Sequence, residues 1–441
     1  MPSREQLPGI FFAILPITLF FPIGITYTVI VLYFTAWLAA GSLGAKWSAI
    51  RCHPTYTASL ILFTAVLLSA IFLSPGNDYR WHGMIHYFVF AFLLLFSVGC
   101  ENAVYRRAKS ALFLGALYAG FIFCVDKAGL LPDWTIFSYY HQYAGNKSIS
   151  IGIFMAIAGA WMLNEAFDAV DRRSMLLYLV AYAFTEWVVV QFAVTRTGTL
   201  MVYLLSALVL LRRLKFNRRS LATVALVSVV MVGIVASNGA GHRRLQEVGS
   251  AITALQEGSL GAGESNRLQF LRITGAMIAE RPVIGFGIGG WRQEYPVRAQ
   301  GLETAFMSTP HNDYLLYGSE LGAIGLMLLL WILGALIRES LRASSTKGTA
   351  FLVVMVALMV SSMFNAMLRD WRFGVPLMLL VAIAYRDSQE VSSNSHVKLS
   401  ASASDGQKRS ETKLTPNHSH GLMQSRRRQG PTQFTRGLEG K

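Results

Sequence analysis

Residues 321–337 read LGAIGLMLLLWILGALI and contain no charged side chain. A helix of about 20 apolar residues crosses the roughly 30 Å hydrocarbon core of a bilayer, and a globular core seldom needs an apolar run of this length. Similar runs recur along the chain between Gly9 and Tyr385. Charged residues make up only 14% of the sequence, against about 25% in soluble domains. The sequence therefore predicts an all-α polytopic membrane protein.

We expect about 12 transmembrane helices of roughly this length, with one large, partly helical loop between spans 9 and 10. The first two spans share an almost unbroken apolar stretch with a hinge near Pro22. Proline within a span is tolerated because neighbouring helices satisfy the freed backbone groups. The predicted spans cover residues 9–22, 24–41, 57–74, 83–100, 110–126, 148–165, 174–194, 198–212, 220–236, 312–337, 349–366 and 373–385.

The predicted organisation has four parts. Spans 1–9 occupy residues 1–236, the large loop occupies 237–311, and spans 10–12 lie within 312–385. The remaining tail, 386–441, is rich in polar and basic residues and has almost no aromatic side chains. Such a segment buries too little apolar area to offset the entropy cost of ordering, so we expect a disordered cytoplasmic tail.

Basic residues indicate how the chain is oriented, because they concentrate in alternate connections between the spans. The connection at 212–219 alone carries five lysines and arginines. By the positive-inside rule both termini are cytoplasmic, and the loop at 237–311 lies on the opposite side. These connections and the basic tail account for much of the net charge of +15, so we expect membrane lipid and no nucleic acid as a partner. The arginines of the large loop oppose the rule, and an anionic ligand on that side would explain them.

Arg196 is the first candidate site residue. It lies in the sequence Thr195-Arg196-Thr197-Gly198 between two predicted spans. An arginine costs about 2.5–3.5 kcal/mol at the bilayer centre and less near the surface. One interpretation is an interfacial anchor. The other is a fixed cation that holds a phosphate through two parallel hydrogen bonds.

The large loop supplies further candidates. A helical stretch near 266–280 contains Arg267 and Arg272, which are five residues apart and need not share a helix face. The glycines within 285–290 have the GxGxxG spacing, but a dinucleotide site needs a strand before it and a helix after it. We instead predict a tight re-entry in which glycine lets the backbone approach a ligand or the membrane.

His311 lies where the loop re-enters the membrane, in Pro310-His311-Asn312-Asp313-Tyr314. Unperturbed imidazole titrates near pH 6.5 and can accept a proton at neutral pH. The alternative is an interfacial histidine that caps a helix. A metal site built on His311 and Asp313 lacks the further ligands that metal ions need, so we expect no metal and no other cofactor.

Four further residues are candidates on weaker grounds, and the first is Asp313, two residues after His311. Lys147 adds positive charge to an outer loop, and His86 and Tyr87 lie at the outer end of a predicted span. An interfacial belt of amphipathic side chains explains His86 and Tyr87 equally well.

Three segments in this order resemble the O-antigen ligase and polymerase superfamily of bacterial envelope glycosyltransferases. They are the Thr195–Gly198 turn, the Arg267 helix leading into Pro282-Val283-Ile284-Gly285-Phe286-Gly287, and Pro310–Tyr314 followed by Glu320-Leu321-Gly322. The resemblance implies that Arg196 and Arg267 are the essential arginines of the family and that His311 is its essential histidine. Arg272 and Lys147 have no firm counterpart in it.

The resemblance also implies an activity. The protein would transfer O-antigen from undecaprenyl diphosphate to a sugar hydroxyl of lipid A–core, at the periplasmic face of the bacterial inner membrane. We expect a metal-independent, inverting reaction in which His311 is the base and the arginines bind the diphosphate. A polymerase that uses the same donor and a protein O-oligosaccharyltransferase are alternatives. A flippase is an alternative of another class, but transporters usually show repeated halves and a binding site at the membrane midplane.

Overall fold

The computed structural model describes residues 4–141, 146–193, 195–213 and 265–389, and every regular element in these ranges is helical. Six of the helices are long and apolar enough to cross a membrane, and a bent pair makes a seventh if it counts as one span. All six coincide with predicted spans. They are Tyr56–Leu73, Asn102–Lys127, Ser148–Ala166, Arg172–Gln191, Asp313–Arg342 and Thr346–Phe364. The polytopic helical class is therefore confirmed, whereas the number twelve and the position of the loop remain predictions.

The described α-helices are numbered here in chain order. They are α1 (Leu7–Thr18), α2 (Ile23–Ala39), α3 (Leu43–Arg51), α4 (Tyr56–Leu68), α5 (Arg80–Tyr87), α6 (Val89–Phe96), α7 (Asn102–Lys127), α8 (Ser138–His141), α9 (Asn146–Ala166), α10 (Arg172–Gln191), α11 (Arg196–Arg213), α12 (Ser265–Glu280), α13 (Gly290–Arg298), α14 (Asp313–Arg342), α15 (Ser345–Phe364) and α16 (371–389). Helix α4 continues as a π-helical turn at Ser69–Leu73.

Several predicted spans differ from the observed helices. The first two are separate helices, and Pro22 with its extended backbone stands immediately before α2, at the predicted hinge. The predicted span 83–100 consists of two short helices, α5 and α6, that meet at Phe88. The predicted span 220–236 lies outside the described residues, as do 237–264 of the predicted loop and 390–441 of the predicted tail.

Helix α9 is at the centre of the bundle and α10 is at its edge. In α9, 83% of the apolar window is buried within the protein, whereas in α10 only 28% is buried. Leu176, Leu177 and Val180 of α10 are exposed, as expected of side chains that face lipid. The central helix packs against α10, α11, α15 and α7.

Helix α14 is broken at Gly322, where φ is 64° and ψ is −155°. The break leaves backbone groups that the helix itself cannot satisfy, and the loop segment 282–287 pairs with them. Four backbone hydrogen bonds join the two segments: Phe286 N–H to Ser319 O at 2.8 Å, Gly287 N–H to Glu320 O at 2.9 Å, Ala323 N–H to Pro282 O at 2.8 Å, and Ile324 N–H to Val283 O at 3.3 Å. The loop is thereby fastened to α14.

The glycine segment 285–290 approaches α14, and not the ligand or membrane that the sequence predicts. The sequence predicts that these glycines bring the backbone close to a ligand or the membrane. A Cβ atom added at Gly285, where φ is 66°, would lie 2.6 Å from the carbonyl carbon of Glu320. The glycine is therefore required for contact with α14. At the next part of the segment, the Ile288 N–H donates to Ser69 Oγ in the π-helical turn at 3.2 Å.

The described part of the loop has its own small core, which contains Phe270, Met277, Trp291, Tyr295, Ala299 and Leu316. The Trp291 and Tyr295 rings stack with 4.4 Å between their centroids. Trp291 Nε1 donates to Thr274 Oγ1 at 2.9 Å, so its buried polar group is satisfied. This core holds α12 and α13 against the first turns of α14, which is where the candidate site lies.

Candidate active site

A cavity of about 570 Å³ lies beside the start of α14 and the turn at residues 365–370. This volume is within the range of about 300–1,000 Å³ that small-molecule sites occupy. Its walls carry the titratable side chains His82, His86, Arg292, His311, Arg369 and Asp370. Two aromatic rings, Trp371 and Phe373, line the same cavity. The arrangement combines several cations with surfaces on which a sugar ring can stack.

His311 has a left-handed backbone with φ of 49°. Conformations of this kind cost about 1–3 kcal/mol in residues with a side chain and are concentrated at functional sites. The His311 N–H donates to Thr309 Oγ1 at 3.1 Å. The imidazole meets the edge of Phe270 with 5.7 Å between ring centroids. The tertiary structure thus holds this side chain in one orientation at the cavity wall.

The electrostatic surroundings of His311 favour its neutral form. Burial lowers the pKa of His311, and the positive charges of Arg267 and Arg369 lower it further. Since the unperturbed pKa is near 6.5, the imidazole is neutral at pH 7. A neutral imidazole beside guanidinium groups can accept a proton from a hydroxyl while the cations stabilise a nearby anion.

Arg267 reaches His311 from α12. It precedes Phe270 by three residues, so the two side chains share one face of the helix. The Arg267 guanidinium lies 5.6 Å from the ring centroid of Phe364, at the end of α15. Arg272 is exposed and does not belong to the cavity lining. Arg267 is also exposed and does not line the cavity, but its positive charge acts on His311.

Arg196 lies next to the cavity but does not belong to its lining. It is the first residue of α11, and its side chain is exposed. The neighbouring Thr197 accepts a hydrogen bond at Oγ1 from Nδ2 of Asn365 at 3.3 Å, and Asn365 lines the cavity. The start of α11 is thus in contact with one residue of the cavity lining. The side chain of Lys147 falls outside the described residues.

The motif residues after the histidine fasten α14 to α15. Asn312 caps α14 by accepting the Leu315 N–H at Oδ1, at 3.0 Å. Its Nδ2 donates to the carbonyl of Met363 at 3.0 Å. The Tyr314 hydroxyl donates to the carbonyl of Met359 at 3.1 Å. Two motif residues, Asn312 and Tyr314, therefore join the two helices beside the cavity, a role that their polar side chains alone did not indicate.

Asp313, a weaker sequence candidate, lies under the cavity wall. Its side chain is fully buried, and Oδ2 accepts the backbone N–H of Leu368 at 2.9 Å. It does not belong to the cavity lining. Its hydrogen bond holds the turn at 365–370, which carries Arg369. Asp313 is therefore placed to position a neighbouring side chain, and it is not placed to touch a substrate.

His86 and Tyr87 are adjacent in sequence but lie in different surroundings. His86 lines the cavity, and its ring meets that of His82 edge-on with 4.9 Å between centroids. Tyr87 is buried, and its hydroxyl donates to Glu320 Oε2 at 2.8 Å. Of the two, His86 is accessible to a ligand, while Tyr87 joins α5 to α14 in the interior.

Two arginines of the cavity lining were not identified from the sequence. In the sequence, Arg369 is one basic residue of a short connection between apolar runs, and Arg292 is one of the arginines of the large loop. Burial lowers the pKa of Arg369. The sequence does carry a weak signal, because three charged residues, Arg369, Asp370 and Arg372, crowd a connection between two apolar runs. Only the packing of that connection against His311 shows its relevance.

Part of the chain is similar to a known protein family. Residues 177–330 match the family model described as O-antigen ligase. This segment is about a third of the chain, runs from α10 into α14 and includes Arg196, Arg267 and His311. No curated protein matches the chain. Over residues 177–330 the chain is therefore similar to the O-antigen ligase family, and its long apolar helices are those of a polytopic membrane protein.

Proposed function

We propose that this protein transfers O-antigen polysaccharide from undecaprenyl diphosphate to a sugar hydroxyl of lipid A–core. The observation that carries the proposal is the imidazole of His311 in the cavity wall, where burial and the nearby charges of Arg267 and Arg369 lower its pKa. The reaction needs a base for the attacking hydroxyl and a cation for the departing diphosphate. The family match supports a glycosyltransferase of the ligase or polymerase type.

In the proposed mechanism, His311 accepts the proton of the acceptor hydroxyl as its oxygen attacks the anomeric carbon of the donor glycan. The bond between that carbon and the diphosphate oxygen breaks, and its electron pair leaves with undecaprenyl diphosphate. One displacement inverts the configuration at the anomeric carbon. The imidazolium then loses its proton to water or to the released diphosphate, which regenerates the base.

Arg267 and Arg196 bind the diphosphate in this proposal. Charge accumulates on the diphosphate as the bond breaks, and fixed cations stabilise it most where water is scarce. A guanidinium also matches two phosphate oxygens at once. Arg267 is supported by its proximity to His311, and Arg196 by the contact of its neighbour Thr197 with the cavity wall. No metal ion or other cofactor takes part in this scheme.

We also propose that the protein lies in the bacterial inner membrane with both termini in the cytoplasm and the cavity on the periplasmic side. The distribution of lysine and arginine supports this orientation. The described loop residues and His311 then face the compartment in which lipid-linked O-antigen and lipid A–core meet.

The test is transfer in proteoliposomes that contain the purified protein, lipid-linked O-antigen and lipid A–core, without ATP or added metal. We expect a ladder of glycan on the acceptor, and a loss of at least about 100-fold in His311→Ala, the usual scale for removing a general base. Arg267→Ala and Arg196→Ala are expected to slow the reaction as well. Arg272→Ala is the matched control, since it removes an exposed arginine from the same helix as Arg267.

The outcomes separate the possible activities. Near-wild-type transfer by His311→Ala, Arg267→Ala and Arg196→Ala, at equal protein levels, would refute the proposed site. A ladder that stays on the lipid carrier identifies a polymerase. Movement of intact donor between leaflets, with its covalent linkage unchanged, identifies a flippase.

A further inference from the structure

Arg292 and Arg369 line the same cavity as His311 but come from different elements. Arg292 belongs to α13 of the loop, and Arg369 to the turn before α16. Both also line a second, small cavity that shares His82 and His86 with the first and includes Glu320 in its lining. The two guanidinium groups are therefore brought to one place by tertiary packing, and the proposed mechanism uses neither of them.

The carboxylates of Glu320 and Asp370 act on Arg369, and Asp370 lines the same cavity, but in the described ranges neither forms an ion pair with it. In the described ranges, no carboxylate oxygen lies within 4.0 Å of Arg292 or Arg369, and neither side chain donates a hydrogen bond. The Arg292 guanidinium rests on the face of Tyr79, 4.1 Å from the ring centroid. Stacking of this kind fixes the plane of the group and leaves its N–H groups available at the edge.

The carboxylate of Glu320 acts on Arg369 from a distance, since it already accepts the hydroxyl hydrogen of Tyr87. The positive charge of Arg292 acts on Arg369 as well. Two cations that repel each other in a partly dry cavity are stabilised when an anion binds between them. Because both line one cavity, their N–H groups can together bind the tetrahedral oxygens of a phosphate.

We propose that Arg292 and Arg369 form a second phosphate-binding subsite, separate from the position assigned to Arg196 and Arg267. This inference rests on the proposed function. Two substrate groups share the required chemistry: the diphosphate of the lipid-linked donor and a phosphate carried by the lipid A–core acceptor. The cavity volume of about 570 Å³ accommodates a phosphate together with a sugar unit.

The experiment measures equilibrium binding to the full chain purified in detergent, so it does not depend on turnover. The probes are undecaprenyl diphosphate without glycan, phosphorylated lipid A–core, and the same acceptor after removal of its phosphates. The variants are Arg292→Gln and Arg369→Gln. Arg281→Gln and Arg372→Gln are matched controls, because Arg281 lies in the same loop and Arg372 follows Arg369 by three residues, and neither lines the cavity.

We expect each variant to bind one of the two phosphorylated probes about tenfold more weakly, on the scale of one charge-assisted hydrogen bond. Weaker binding of undecaprenyl diphosphate assigns the subsite to the donor. Weaker binding of phosphorylated acceptor, with the dephosphorylated acceptor unaffected, assigns it to the acceptor. Arg369→Lys and Arg292→Lys retain the charge and are expected to recover part of the affinity, and they serve as the test if a glutamine variant does not fold.

Unchanged affinity for both phosphorylated probes overturns the proposal, as does an equal loss in the control variants or a wild-type chain that binds neither probe. The proposed function fails in a different way: wild-type protein would bind the probes and yet form no product in proteoliposomes.

Discussion

The break in α14 allows a sharp test of how the loop is held, with Gly322→Ala as the perturbation. A Cβ atom at this position would lie 2.4 Å from the carbonyl carbon and oxygen of Val283. The backbone there, with φ of 64° and ψ of −155°, is in a region that only glycine adopts readily, and the strain costs about 1–3 kcal/mol. Moving the loop segment 282–287 away from α14 also weakens the hydrogen bonds from Ala323 and Ile324. Each of them contributes about 0.5–1.5 kcal/mol.

These contributions add to a destabilisation of about 2–6 kcal/mol. The matched control is Gly334→Ala in the same helix, because a Cβ atom there meets nothing within 4 Å. Alanine in a helix interior is favoured over glycine by up to about 1 kcal/mol, so the control should be neutral or stabilising.

The assay for both variants is thermal unfolding in detergent, together with limited trypsin digestion of the loop. We expect Gly322→Ala to unfold at a lower temperature and to be cut faster at the exposed Arg272 and at Arg281. Equal unfolding temperatures and equal digestion of the two variants would refute the reasoning, since the loop would then not depend on the break.

Three further predictions concern the cavity and its supports. Asp313→Ala leaves the buried backbone N–H of Leu368 unsatisfied, so we expect a loss of about 1–3 kcal/mol in stability and slower transfer. Thermal unfolding and initial rates measure the two effects, and Asp133→Ala, at an exposed position, is the control. Because the pKa of His311 is lowered, proton acceptance should persist below pH 6.5 and be lost only as pH falls through the lowered value. Arg369→Gln removes one of the cations responsible, so the acidic limb of its kcat/KM profile should move to higher pH; an unmoved limb contradicts the assignment. Tyr87→Phe removes the hydrogen bond to Glu320 and should lower the unfolding temperature while leaving donor KM unchanged.

The class of fold was predictable from local sequence because the bilayer imposes it on each segment separately. An apolar run such as 321–337 has to form a helix that satisfies its own backbone hydrogen bonds, whatever the rest of the chain does. The six long apolar helices accordingly lie where the sequence predicts spans. Spans with weaker signals differ more. The break at Phe88 within 83–100 depends on packing with other helices, which hydropathy does not encode.

The candidate site was likewise predictable from the sequence only in part. Arg196 and His311 were candidates because a charged or titratable group at a membrane boundary is costly. Together with Arg267 they were selected by the resemblance of their segments to a known family. The partners of those residues could not be chosen. Arg369 is 58 residues from His311 along the chain, and the two meet because Asp313 and Asn312 bind the end of α15 and the turn beyond it. A hydrogen bond between distant segments has no local signature, so only the tertiary structure decided which cations line the cavity and which, like Arg267 and Arg272, are exposed outside its lining.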